Sequence, residues 1–191
     1  MAFLILVKHA QPDIDPQVSP HLWQLSSAGR SRCTHLAQAL SAYQPGRIVA
    51  SLEPKAEQTG RLVAETLRIP FETRANLQEH SRRTESFGTS EAFKKAVSEL
   101  FQQPQMLAYG EETGEQAYER FANAIHSLLE DYPNENLVVV AHGTVISLFV
   151  GSTCKVDGYE LWKRLGLPSY VVLSWIEAQN LFRLETVAEH V

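Results

Sequence analysis

At 191 residues and 44% hydrophobic side chains, the chain is long enough to bury a sizeable core and is expected to form one domain over residues 1–191. A net charge of −5 without a long basic stripe argues against nucleic acid as a partner, so an anionic ligand needs a local group of cations. Two cysteines, Cys33 and Cys154, are too few for a disulfide scaffold and are expected as reduced thiols in the cytoplasm. The apolar N-terminus has no basic lead and no small-residue cleavage site, and no apolar run approaches the roughly 18 residues of a membrane span. Neither a signal peptide nor a membrane contact is expected.

The chain opens on Phe3-Leu4-Ile5-Leu6-Val7, an unbroken apolar run that reads as a strand buried on both faces, and switches abruptly to Lys8-His9. Three prolines between Pro12 and Trp23 mark a loop. Ser26 or Ser27 then caps a helix carrying Cys33, Leu36, Leu40 and Tyr43, which ends before Pro45-Gly46. Residues 47–51 form a short second strand. Pro54 suits the first turn of a helix reaching about Arg68, with Ala56, Thr59, Val63 and Leu67 at helical spacing. Residues 70–73 make a weaker strand that leads into the charged stretch around Glu79.

Residues 76–115 read as an insertion over one edge of the sheet, with a helix over 90–102 broken off at Pro104. Ala117, Phe121, Ile125, Leu128 and Leu129 predict an amphipathic helix over 115–132. Leu137-Val138-Val139-Val140-Ala141 is a second fully buried strand and ends in His142-Gly143. Helices over 144–153 and 158–165 follow. Residues 170–176 and 181–187, around Ala178-Gln179-Asn180, read as an antiparallel hairpin. Alternating strands and helices with buried β-runs give an α/β fold, a three-layer αβα sandwich. Its sheet is mostly parallel, with one antiparallel strand near the C-terminus.

Parallel strands bring their carboxyl ends to one sheet edge, where open α/β sheets bind ligands. Four strands deliver polar residues there: Lys8 and His9, Ser51 followed by Lys55, Glu79, and His142. Two histidines, two lysines and a carboxylate at one edge make an anion site with acid and base capacity. Each residue alone has an ordinary explanation as a strand cap or a solvated charge; their joint placement points to a site.

These residues carry a family resemblance. Lys8-His9-Ala10-Gln11 resembles the Arg-His-Gly signature of the histidine phosphatase superfamily, which includes the phosphoglycerate mutase-like proteins. Leu25-Ser26-Ser27-Ala28-Gly29 is similar to its Leu-Thr-x-x-Gly helix start, and Lys55-Ala56-Glu57-Gln58-Thr59 to its Arg-Ala-x-Gln-Thr segment. Leu77-Gln78-Glu79 resembles the segment with the acidic residue, and Ala141-His142-Gly143 the second histidine motif. The resemblance implies a phosphatase acting on a small phosphorylated metabolite. His9 would be the nucleophile, passing through a phosphohistidine, and Glu79 the proton donor and acceptor. Lys8, Lys55 and His142 would surround the phosphoryl oxygens. Gln11, His80 and Arg82 are candidate substrate contacts, with Arg83, His21 and Trp23 near the same mouth. The scheme calls for no metal or cofactor.

The family has arginine where this chain has Lys8 and Lys55, which replaces two bidentate forks by point charges. A weakened or inactive protein on the same fold, binding a phosphorylated ligand or partner, is therefore the alternative. A mutase, and a zinc hydrolase using His9, His142 and Glu79, are the further readings.

Overall fold

The fold is taken from a computed structural model and is described for residues 3–82, 89–176 and 181–191. Six strands form one sheet: β1 (Phe3–Lys8), β2 (Arg47–Ser51), β3 (Phe71–Arg74), β4 (Leu137–Ala141), β5 (Ser169–Ile176) and β6 (Leu181–Ala188), in the order β3-β2-β4-β1-β5-β6. β1 pairs parallel with β4 and antiparallel with β5, so that Lys8 lies opposite Ala141 on one side and Ser169 on the other. β2 pairs parallel with β3 and β4. β5 alone runs against the other strands, and β6 pairs antiparallel with it, as the sequence pattern predicts. The hairpin turn over 177–180 lies outside the described residues.

Among the described residues there are six helices, α1 (Ser27–Ser41), α2 (Pro54–Leu67), α3 (Ser90–Gln102), α4 (Gly114–Asp131), α5 (Gly143–Cys154) and α6 (Gly158–Arg164). The β1 run alternates between two cores. Ile5 and Val7 pack with Ile48, Val138 and Val140 against Leu36, Leu40 and Val63 of α1 and α2. Leu4 and Leu6 pack with Val49, Val139 and Val171 against Phe121, Ile125 and Leu128 of α4 and Phe149 of α5. Both faces of the strand are thus covered by helices, which is why its sequence shows no polar alternation. Among the described residues no helix is long and apolar enough to cross a membrane.

The helix starts follow from local chemistry. Ser26 Oγ accepts the Gly29 N–H at the head of α1, and Thr113 and Gln116 form a capping box on α4. The proline-marked loop holds one 3₁₀ turn, Pro20–Leu22. α2 differs. Glu53 stands at its N-cap position but makes no capping hydrogen bond, because its side chain is used elsewhere. At Gly29 the loop after β1 passes so closely that a Cβ would lie 2.1 Å from the Gln11 carbonyl oxygen.

Two stability measurements check this packing. Phe121→Ala removes a fully buried ring and is expected to cost about 3–5 kcal/mol in urea unfolding. Gly29→Ala is expected to lower the unfolding midpoint despite alanine's better helix propensity, because the added methyl group meets backbone rather than a movable side chain.

Candidate active site

The carboxyl ends of β1, β2 and β4 and the segment after β3 meet at one cavity of about 510 Å³. Its wall includes Lys8, His9, Glu53, Lys55, Glu79, His80 and Arg82. His142 lies behind this wall, fully buried, with its ring centroid 5.2 Å from that of His9 and the planes at 63°. The predicted convergence of strand ends is therefore formed.

His9 is 6% exposed, and its Nδ1 lies 2.8 Å from the carbonyl oxygen of Ala10. A carbonyl can only accept, so Nδ1 carries the proton and, in the neutral ring, Nε2 holds the lone pair. Burial is the main influence that pushes this imidazole well below the ordinary histidine pKa, and His142, Lys55 and Lys8 push it the same way. His142 is likewise held well below its ordinary value by burial and by Lys55, against the opposing pull of Glu79. Its Nε2 lies 3.0 Å from Ser51 Oγ and 3.7 Å from Glu53 Oε1, and its Nδ1 has no hydrogen-bond partner among the described residues. Both rings are uncharged at neutral pH.

Glu79 sits at the head of α5. Its Oε2 accepts the Thr144 N–H at 3.2 Å, and its Oε1 accepts those of Val145 at 3.3 Å and His80 at 3.0 Å. Burial alone would raise this carboxyl. The charge of His142 when protonated, Arg82 and the N–H groups of His80 and Thr144 outweigh burial and keep it below the usual value. Arg82 and the backbone donors act in this direction whether or not His142 is charged. The segment that carries Glu79 is stapled by Arg120 of α4. Its guanidinium donates to the carbonyls of Asn76, Gln78 and Glu79 and pairs with Glu112 at 2.6 Å.

The two lysines reach the cavity already partnered. Lys8 Nζ donates to the Leu165 carbonyl at 2.7 Å, with its stem over Gly143, and burial lowers its pKa against the pull of Glu79. Lys55 Nζ donates to Glu53 Oε2 at 2.5 Å and to the Pro20 carbonyl at 2.7 Å. The second oxygen of Glu53 accepts the Glu79 N–H at 2.9 Å. Glu53 therefore ties the β2 end to the Glu79 segment and lies beside His142.

Of the candidate substrate contacts, His80 is 2% exposed on the cavity wall, with its Nε2 2.7 Å from the Glu112 carbonyl. Arg82 also lines the cavity, its guanidinium 4.3 Å above the Phe93 ring. Gln11 is exposed and is not part of this wall, and its carbonyl accepts from the backbone N–H and Oγ of Ser26 next to the Pro12–Leu25 bridge. His21 and Trp23 do line the mouth, while Arg83 lies outside the described residues. Among the described residues no three His, Cys, Asp or Glu side chains are grouped to hold a metal, so the zinc arrangement is not formed.

Sequence reasoning missed Glu53, Arg120 and the aromatic wall of Phe93 and Trp162. Glu53 had a signal: it stands two residues before Lys55 in the motif that supplies the cation. Arg120 had none, since an arginine on an amphipathic helix reads as a solvated charge.

Residues 4–187 match the histidine phosphatase superfamily (branch 1). No curated protein matches the chain. Among solved structures, the mycobacterial glucosyl-3-phosphoglycerate phosphatase superposes with a TM-score of 0.81 at 19% identity, covering 100% of this chain and 99% of that one. The same protein has also been solved with inorganic phosphate. YhfR of Bacillus stearothermophilus superposes at 0.80 with 18% identity, covering 100% and 98%. Phosphoserine phosphatase of Entamoeba histolytica, solved with 3-phosphoglyceric acid, superposes at 0.79 with 16% identity, covering 98% and 97%. The chain belongs to the histidine phosphatase superfamily, in branch 1, and phosphatase, a phosphoester hydrolase, is the enzyme class that this membership supports.

Proposed function

We propose that the chain hydrolyses a small phosphorylated metabolite through a phosphohistidine on His9. The observation that carries this reading is the Nδ1–Ala10 carbonyl hydrogen bond, which leaves the Nε2 lone pair of a neutral ring free. In the first half, Nε2 attacks phosphorus, the bond to the leaving oxygen breaks, and Glu79 supplies that oxygen with a proton. Because Glu79 rests as a carboxylate, this proton arrives with the phosphoryl group and passes to Glu79 on binding. In the second half, water attacks the phosphohistidine, its proton goes to Glu79, and inorganic phosphate leaves. Lys8, Lys55 and the neutral His142 stabilise the phosphoryl oxygens during both transfers.

Trp23, Phe93, Trp162 and Ile14 form an apolar wall where the leaving group would lie, and Arg82 and His80 offer contacts to a second polar or anionic group. The phosphoglycerate and phosphate complexes of structural neighbours support a ligand of this size class. On this reading the chain is one domain, 1–191, with 76–115 as the insertion that shapes the leaving-group wall. Two free cysteines fit a cytoplasmic setting.

A second reading, binding of a phosphorylated ligand without turnover, is favoured by the internal hydrogen bonds that already occupy both lysines. Incubation with a generic aryl phosphate separates the two. Hydrolysis is expected with acid-labile phosphate on His9, and His9→Ala is expected to abolish both. Phosphate binding with neither signal would establish the second reading.

Two further outcomes follow from the site. Glu79→Gln keeps a side chain of the same size but cannot exchange the proton, and kcat is expected to fall about 10²–10⁴-fold with binding of inorganic phosphate retained. The lowered pKa of His9 keeps its Nε2 unprotonated as pH falls past 6.5, the ordinary histidine value. The acid limb of the kcat/KM profile is therefore expected below pH 6.5, and a limb at or above that value would contradict a buried neutral nucleophile.

A further inference from the structure

A buried carboxylate beside a phosphoryl site works against the ligand. Glu53 is 8% exposed, accepts from Lys55 Nζ at 2.5 Å, and lies 3.7 Å from His142 Nε2. It belongs to the cavity wall, and no step of the proposed reaction uses it. Its oxygens have two strong donors, the Lys55 ammonium and the Glu79 N–H. The Lys55 ammonium, in turn, gives two of its three protons to Glu53 and the Pro20 carbonyl.

We infer that Glu53 is an internal competitor for the phosphoryl group, holding Lys55 as a closed ion pair and setting how much negative charge the site accepts. This rests on the reading of the cavity as a phosphoryl site. An arriving anion must share Lys55 with Glu53 and sits close to a second negative charge. Around the cavity Lys8, Lys55, Arg82 and Arg120 face Glu53, Glu79 and Glu112, so four cations meet three carboxylates and Glu53 cuts the positive excess to a single charge, where an anion site is ordinarily more strongly cationic. Uptake of a dianion is therefore disfavoured relative to uptake of a monoanion, and the substrate class becomes phosphomonoesters that enter as the monoanion and hand their proton to Glu79. The single proton retained on that monoanion is also the one Glu79 needs for the leaving group, so charge selection and acid loading are one requirement. The carboxylate is a specificity-setting residue. It touches Lys55 and the Glu79 backbone and takes no part in bond making.

The test is calorimetric titration of inorganic phosphate at about pH 8, where the dianion prevails, into wild type, Glu53→Gln, Lys55→Met and the double variant. Glu53→Gln is expected to bind about tenfold tighter or more, as removal of a charge at this range implies. Loss of Lys55 is expected to weaken binding more in the Glu53→Gln background than in wild type, because only there is the ammonium free for the ligand. A structural role alone predicts weaker binding for every variant. Thermal unfolding with and without phosphate keeps the test open if Glu53→Gln is unstable: phosphate should raise its melting temperature more than that of wild type. Wild type that binds phosphate and labels on His9, with Glu53→Gln no tighter and gaining no more thermal protection, overturns this inference alone. Absence of phosphate binding in every protein, with no labelled histidine, overturns the phosphoryl-site reading and this inference with it. Binding by Glu53→Gln where wild type shows none supports the competitor role directly.

Discussion

β1 is hydrogen-bonded on both edges and covered by helices on both faces, and that enclosure governs the site. A strand held by β4 and β5 cannot shift its last residues without breaking two ladders. Lys8 and His9 are thus delivered by a backbone constrained on both edges, as is that of β4 between β1 and β2. The His9 ring needs only one local contact, to the Ala10 carbonyl, to fix which nitrogen is free. The parallel neighbour β4 brings His142 beside it by the same register, Lys8 opposite Ala141. Placing functional groups on rigid elements rather than on loops favours positional accuracy.

The same enclosure makes charge expensive. Burial drives both histidines towards the neutral form, and charges beside them have internal partners: Lys8 with the Leu165 carbonyl, Lys55 with Glu53, Glu79 with three backbone N–H groups, and the half-buried Arg120 with Glu112. A buried pair contributes little net stability, but removing one member typically costs about 3–5 kcal/mol, because the other is left uncompensated. The cavity charges are therefore largely committed to internal partners before a ligand arrives.

Much of this was legible in the sequence because it depends on strand ends. Unbroken apolar runs ending in Lys8-His9 and Ala141-His142 announced buried parallel strands, and parallel strands bring their ends to one edge. The helices at 90–102 and 114–131 followed from proline stops and apolar spacing. What stayed hidden depends on side-chain direction. Glu53 occupies an N-cap position, where a carboxylate ordinarily bonds its own helix, yet it turns to Lys55, which stands in that helix's first turn. Gln11 is a like case: its carbonyl accepts from Ser26, a use that its place in the motif does not encode. Arg120 depends on a contact across more than 40 positions of sequence, which no local pattern encodes.

That arginine has a consequence for how such a site can change over generations. One guanidinium grips three carbonyls of the segment bearing Glu79 and, through Glu112, the stretch that leads into α4. Glu112 also accepts the Ser81 N–H and receives the His80 ring at its carbonyl. The backbone that aims Glu79 and the His80–Ser81 stretch beside it on the cavity wall are therefore one mechanical unit. On the proposed reading, a change at His80 to suit a new ligand would move Glu79 as well, so ligand range and chemical competence would be inherited together.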